Sequence, residues 1–267
     1  MMTRQYMGPN IRRLILTGAV ALIVNFLAIP AMSADNIDPE ADKVLKSMSD
    51  YLGSLSAFSM NADIDNEIID LEGQKLQFSS SAKIVIERPG NLYFHRQGAY
   101  ADAEIKSNGK MLILYGKSKN AYIQVDSPGN TDKAFDILET EIGIDAPGSD
   151  LLLANPYPSL IDGITSSAYL GTAYVNGIEC HYLTFRAAKI DWQLWVQVGK
   201  KPLPMKYIIT TKWVTGAPQY SLRFREWNTE PQINKDQFSF SVPKGAKKLE
   251  TIPSVNVIGE LMIEEDK

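Results

Sequence analysis

The side chains best suited to chemistry are the two histidines, His95 and His181, and the single cysteine, Cys180. Cys180 and His181 are adjacent in a predicted strand, so their side chains point to opposite faces and cannot form a nucleophile–base pair. A zinc site made from one cysteine and two histidines is an alternative, although the spacing matches no metal-binding motif. We expect Cys180 to be a small buried hydrophobic residue.

Four acidic residues, Asp63, Asp65, Glu67 and Asp70, follow one another around the end of a predicted strand. Cation binding is one interpretation, and a solvated hairpin tip is the other. The second is favoured because the run lacks the glycine and glutamate positions of a calcium-binding loop. The chain also has no G-x-S-x-G elbow, no H-E-x-x-H motif and no phosphate-binding loop. We therefore predict no catalytic residue, metal or cofactor, and an enzyme is the weaker class.

The N-terminus has the pattern of a secretory signal peptide. Arg12 and Arg13 precede an apolar run at residues 14–29, which is followed by the small-residue sequence PAMSA. An uncleaved membrane anchor is the alternative, but the run is near the lower length limit for a span and contains Asn25. The prediction is a signal peptide at residues 1–34, one domain at residues 35–250 and a C-terminal tail at residues 251–267.

Charge and cysteine content limit the partners. Loss of Arg4, Arg12 and Arg13 with the signal peptide leaves 24 basic and 31 acidic side chains, a net charge of −7. An acidic domain argues against a nucleic-acid partner and against adhesion to anionic lipid surfaces. With one cysteine there is no internal disulfide, so the core must hold this exported domain together. We expect a periplasmic monomer.

The elements that must position these side chains are mainly strands. Residues 175–213 read as three consecutive strands, at 178–186, 192–198 and 205–213, rich in β-branched and aromatic residues. Further strands are predicted between residues 58 and 125, with a hairpin at Asn108–Gly109, and at 168–175, 220–227 and 238–242. Helical spacing predicts a helix capped by Asp38, a second at 132–142 and a broken segment at 150–164.

The fold class predicted from this pattern is α+β and mainly β. About ten or eleven antiparallel strands should twist into a half-barrel, because a long meander cannot stay flat. Strands that are apolar on both faces, such as residues 111–115, need a cover on each side. The helices with apolar stripes would form a lid over the concave face.

Several segments carry a resemblance to a known family: DLLL at 150–153, YLG at 169–171, VNGIECHYLTFR at 175–186, DWQLW at 191–195 and PLPMKYIIT at 202–210. Together they resemble a family of predicted periplasmic proteins of unknown function, similar in fold to the lipoprotein carriers LolA and LolB. The resemblance covers about residues 38–243. It implies an incomplete antiparallel barrel with a helical lid around an apolar cavity, and it supplies no catalytic residues.

Two functions remain open at this stage. The first is an exported carrier or binding module for a hydrophobic ligand, either a lipid or a lipoprotein acyl chain. The alternation of side chains between the two faces of each strand suggests that its cavity is lined by Phe78, Phe94, Trp192, Leu194 and Tyr207. The second is a structural or sensory envelope module with a filled core that contacts another protein. A hydrolase would need a polar cluster that the sequence does not show.

Overall fold

The computed structural model describes residues 37–99 and 102–250. The predicted signal peptide at residues 1–34 and the predicted tail at residues 251–267 lie outside the described residues. Within those ranges, no helix has the length and apolar character needed to span a bilayer.

The described chain forms three helices and one sheet of twelve strands. The helices are α1 (Pro39–Ser54), α2 (Thr131–Thr140) and α3 (Pro156–Ile161), with a 3₁₀ turn at Ser149–Leu152 and another at Lys235–Phe238. The strands are β1 (Ala57–Ile69), β2 (Lys75–Glu87), β3 (Asn91–Gly98), β4 (Asp102–Asn108), β5 (Met111–Gly116), β6 (Ala121–Asp126), β7 (Ile164–Val175), β8 (Ile178–Ala187), β9 (Ile190–Gln197), β10 (Pro204–Thr211), β11 (Gln219–Asn228) and β12 (Lys247–Lys248).

Two antiparallel meanders make up this sheet. Its strand order is β12-β6-β5-β4-β3-β2-β1-β11-β10-β9-β8-β7, so β1–β6 and β7–β11 each follow the chain. The meanders join where β1 pairs with β11, and the short β12 pairs in parallel with β6. The sheet is open and curved, and the mainly β half-barrel with helices on one face confirms the predicted fold class.

Helix α1 forms where local chemistry favours it. Asp38 accepts hydrogen bonds from the backbone N–H groups of Glu40 and Ala41 at 2.8 and 3.3 Å, and Pro39 occupies the first helical position. The same carboxylate accepts the Tyr169 N–H at 3.0 Å, which ties the start of α1 to β7. The predicted apolar stripe is buried against the sheet, as Leu45, Met48 and Leu52 show.

Gly53, one residue before the end of α1, allows a close approach between two parts of the chain. A Cβ atom there would lie 2.7 Å from the carbonyl oxygen of Ala154. The C-terminal end of α1 therefore touches the segment that follows the 3₁₀ turn, and any larger residue would push the two apart.

Arg88, directly after β2, connects helix α1, helix α2 and the 3₁₀ turn at Ser149–Leu152. Its guanidinium donates hydrogen bonds to the carbonyl oxygens of Leu55 at 3.2 Å, Leu152 at 3.2 Å and Leu153 at 2.9 Å, and to the hydroxyl of Thr131 at 3.3 Å. Burial lowers the pKa of Arg88, with Asp132 acting in the opposite direction. One side chain thus fixes the end of α1, the start of α2 and the 3₁₀ turn over one face of the sheet.

We call the face under these helices the inner face, and the opposite one the outer face. The outer face of the first meander is covered by the C-terminal segment. Phe238 is buried there, and Phe240 packs against Tyr115 and Tyr122 with ring centroids 5.6 and 5.3 Å apart. This cover explains how β5, which is apolar on both faces, buries Ile113 on its outer side.

The predicted strand at residues 238–242 is wrong. The alternation of Phe238 and Phe240 with serines suggests a strand, but Phe238 ends the 3₁₀ turn Lys235–Phe238 and residues 239–242 form no ladder. The two phenylalanines instead pack individually onto the outer face. Alternation reports which side chains are buried, and here burial occurs without strand pairing.

Candidate functional site

The inner face is the candidate site, and its side chains form rows across the strands. The most deeply placed rows are large and apolar. One row consists of Met60, Ile84, Phe94, Ile105, Leu114 and Ile123, which are in direct register from β1 to β6. All of these except Phe94 are buried, and Phe94 is half-buried.

The next row is made of small residues. The register aligns Ala62, Ala82, Arg96, Ala103, Gly116 and Ala121 on β1, β2, β3, β4, β5 and β6. Five of these six positions carry a methyl group or a hydrogen, and four of those five are buried, so most of the row is already covered by neighbouring parts of the protein. Arg96 is the exception, and its direct cross-strand neighbours are Ala82 and Ala103.

Arg96 lies on an apolar face with few polar partners. Its Nε donates to the Ser80 hydroxyl at 2.9 Å. Among the residues that the structure describes, it forms no ion pair with a carboxylate. Tyr220, on β11, stands near enough for the arginine charge to act on it: burial raises the pKa of Tyr220, and Arg96 opposes that rise. Both side chains are half-buried.

A second polar group enters the inner face from the segment before α3. The Tyr207 hydroxyl donates to the Asp150 carboxylate at 3.4 Å. Burial raises the pKa of Asp150 to about 6, although the N–H of Leu151 and the Tyr207 hydroxyl favour its charged form. Gly148 makes this approach possible, because a Cβ atom there would lie 2.3 Å from Cδ1 of Leu222.

The five residues predicted to line a cavity divide into two groups. Trp192, Leu194 and Tyr207 lie on the inner face but are buried in the packed core, where Trp192 stacks on Phe185 with centroids 3.9 Å apart. Phe94 and Phe78 also lie on the inner face and are half-buried. The parity argument placed all five on one face, but their role as ligand contacts stays a prediction.

The residues first considered for metal or nucleophilic chemistry do not come together. His95, on β3, pairs with Asp102 at 2.9 Å, and His181, on β8, faces the Tyr169 hydroxyl at 3.1 Å. These two strands are six positions apart in the sheet. Cys180 is fully buried, as predicted, and burial raises the pKa of its thiol to about 11.

The acidic run does not form a hairpin tip as predicted, because β1 extends to Ile69. Three of its carboxylates lie along the outer face of that strand, and only Asp70 is in the turn. Asp63 accepts from Arg225 at 3.0 and 3.1 Å, and Glu67 pairs with Lys75 at 3.1 Å. In the described ranges no cluster of three metal-ligating residues occurs. Beside Asp63 and Asp65 lies an open surface depression whose lining includes Ser79, Ser81 and Gln97.

Comparison with known proteins gives the family. The model of the family described as "Predicted periplasmic protein (DUF2092)" matches residues 41–252. The chain belongs to this family. The resemblance seen in the sequence is thereby confirmed, and so is the periplasmic location. No curated protein matches the chain.

Solved structures with a similar arrangement are distant. An uncharacterized conserved protein from Thermus thermophilus aligns at 9% identity and TM-score 0.48, covering 79% of this chain and 98% of the other. LprF from Mycobacterium bovis aligns at 14% identity and TM-score 0.46, covering 79% of this chain and 99% of LprF. A LolA superfamily protein from Nitrosomonas europaea aligns at 10% identity and TM-score 0.39, covering 75% of this chain and 97% of the other. Such likenesses say nothing about a ligand, so the chain's own inner face must suggest one.

Proposed function

We propose that this protein is a periplasmic, non-catalytic binding or carrier module for a hydrophobic ligand, a lipid or the acyl chain of a lipoprotein. The observation that carries the proposal is the half-buried apolar surface on the inner face. Phe94 contributes to this surface from β3, and Phe78, Ile209 and Tyr220 continue it across β2, β10 and β11.

An acyl chain suits this surface because its binding needs no polar chemistry. Each buried CH₂ group contributes roughly 0.8 kcal/mol, so a chain of sixteen carbons contributes about 13 kcal/mol, which exceeds the lower estimates of the cost of association, about 4 kcal/mol. The helices held by Arg88 cover one end of the inner face and would exclude water from the bound chain.

The test is native mass spectrometry of the mature protein purified from the periplasm, with lipid extraction of the same sample. We expect a stoichiometric adduct with the mass of an acyl-chain ligand. A clean apo mass, together with no thermal shift on adding lipids or acylated peptides, would contradict the proposal and favour the alternative of a protein-interaction module with a filled core.

A size-matched pair of variants locates the ligand. Ala103→Phe adds a ring beside Arg96 on the inner face of β4, whereas Ser221→Phe adds the same ring on the outer face of β11. The first should abolish the adduct and the second should retain it. Equal loss from both variants would mean that the ring disturbs the fold and not the inner-face surface, which circular dichroism of both variants would show directly.

A further inference from the structure

The environment of Arg96 specifies what kind of hydrophobic ligand the inner face takes, and this inference rests on the function proposed above. A guanidinium has five N–H donors, and Arg96 uses its Nε on a neutral hydroxyl, that of Ser80. No carboxylate within the described ranges neutralises it. A cation on an apolar surface is costly unless an anion pairs with it, so the remaining donors favour an anionic ligand.

Half-buried apolar side chains lie on the same face of the sheet as Arg96. Phe94 precedes Arg96 by two residues on β3, and Phe78 and Tyr220 lie on β2 and β11. An extended acyl chain can therefore lie across these side chains while its head group remains at Arg96.

Charge balance identifies the head group. Arg96 provides one positive charge, and its polar neighbours Ser80 and Tyr220 are neutral hydroxyls. A carboxylate carries one negative charge and two coplanar oxygens, which match the fork of a guanidinium. A phosphate monoester would bring a second negative charge that these residues do not neutralise.

We propose that Arg96 and Ser80 bind the carboxylate of a single-chain fatty acid, whose acyl chain lies across Phe94, Phe78 and Tyr220. Arg96 is then a specificity-determining residue. Neutral amphiphiles of the same chain length bind through the chain alone, and fatty acids gain a charge-assisted pair in addition.

The experiment compares two probes on three delipidated proteins. Oleate and oleyl alcohol, which share one chain, are titrated against the wild type, Arg96→Gln and Arg223→Gln by displacement of a fluorescent fatty acid. Arg223 is exposed on β11 and makes a matched control. We expect Arg96→Gln to weaken oleate binding by roughly ten- to a hundredfold and to leave oleyl alcohol unchanged within about twofold, because a hydrogen-bonded charge pair is the contribution removed. Arg223→Gln should match the wild type.

Other outcomes separate this inference from the proposed function. If oleate and oleyl alcohol bind the wild type equally and Arg96→Gln changes neither, the carboxylate site is overturned while hydrophobic binding stands. If neither probe binds the wild type, both proposals fail. If vesicles of phosphatidylglycerol bind in an Arg96-dependent manner and oleate does not, the partner is a phospholipid head group and the fatty-acid assignment is wrong.

The folding of the variant is checked independently. Arg96→Lys keeps the charge without the fork and should recover part of the oleate affinity, whereas a purely structural role would make Lys and Gln equivalent. The ¹³C shift of carboxyl-labelled palmitate gives a second readout. In the wild type its titration midpoint should lie below that of palmitate bound to Arg96→Gln, and equal midpoints would contradict a carboxylate–guanidinium pair.

Discussion

Asp150 holds a carboxyl group where ionisation is unfavourable. It sits against the Tyr207 hydroxyl under the segment before α3, and burial raises its pKa to about 6 from an ordinary value of 3.8. In the unfolded chain the group ionises near pH 4, but in the folded protein it stays protonated until about pH 6. Its contribution to the free energy of unfolding therefore falls as pH rises from about 4 to about 6 and is constant above that.

Asp150→Asn should remove this dependence. As the pH rises from 4.5 to 7.5, the free energy of unfolding of the variant should increase by about 1–3 kcal/mol relative to that of the wild type. One pKa unit corresponds to about 1.4 kcal/mol, and the group keeps some accessible surface. Urea denaturation of both proteins at the two pH values measures the difference. Asp145→Asn, in the exposed part of the same loop, is the control, and a constant gap for Asp150→Asn would show that its carboxyl group is not desolvated.

At the level of single residues, the sequence predicts which side chains are buried better than it predicts their hydrogen-bond partners. Cys180 was expected to be buried from its place in a strand, and it is. Arg96 belongs to no sequence motif, although its spacing of two residues from Phe94 places it on the inner face. Arg88 could not have been recognised, because its acceptors are backbone carbonyls up to 65 residues away, and no residue pattern marks such carbonyls.

The helices depend on Arg88 for their position over the sheet. Arg88→Met keeps much of the apolar stem and removes every donor, which leaves the carbonyl oxygens of Leu55, Leu152 and Leu153 without this partner. We expect a loss of about 2–4 kcal/mol in the free energy of unfolding. Arg186→Met, at an exposed pair with Asp191, should cost about 0–1 kcal/mol in the same urea titration. Equal losses would mean that Arg88 holds nothing in place.

The N-terminal end of α1 is held by a different device. Asp38→Ala removes the helix cap and the acceptor for the Tyr169 N–H, so we expect a loss of about 1–2 kcal/mol. Asp50→Ala, at an exposed carboxylate of the same helix paired with Lys46, is the matched control and should cost less than about 0.5 kcal/mol. A near-neutral Asp38→Ala variant would show that packing alone positions α1.

Elements with strong local signals were predicted well. The Asp38 cap, the hairpin at Asn108–Gly109 and the alternation in β1 and β9 all correspond to observed elements. The segment at 238–242 failed because its alternation reflects two aromatic anchors and no strand partner. Strand ends also shifted: β1 extends through the acidic run, since paired carboxylates on the outer face do not interrupt a ladder.

The whole described sheet should unfold as one unit. Its buried side chains form one continuous cluster that runs from the first meander through α1 to the second. Trp192, Trp195, Trp213 and Trp227 all lie in the second meander, so their fluorescence reports on that half, whereas far-UV circular dichroism reports on both. We expect the two urea transitions to coincide. A fluorescence transition at a different urea concentration would show that the meanders are separate cooperative units.

The pairing of β1 with β11 is the part of the architecture that the sequence did not reveal. Hydrophobic alternation specifies which face of a strand is buried but not which distant strand lies beside it. Short hairpin turns specify neighbours within each meander, and no such turn links residues 57–69 to residues 219–228. The half-barrel could be expected from the number of strands, but its order could not.

The two ends of this sheet also determine how the molecule behaves in a crowded compartment. A long open sheet offers unpaired backbone groups on its outermost strands, which are templates for fibre growth. One border is β12, two residues long with both lysines exposed, and the other is β7, whose register is broken between Tyr169 and Thr172. Charge at one border and an irregular ladder at the other oppose edge-to-edge pairing between molecules, so the fold can carry twelve strands and still resist polymerisation.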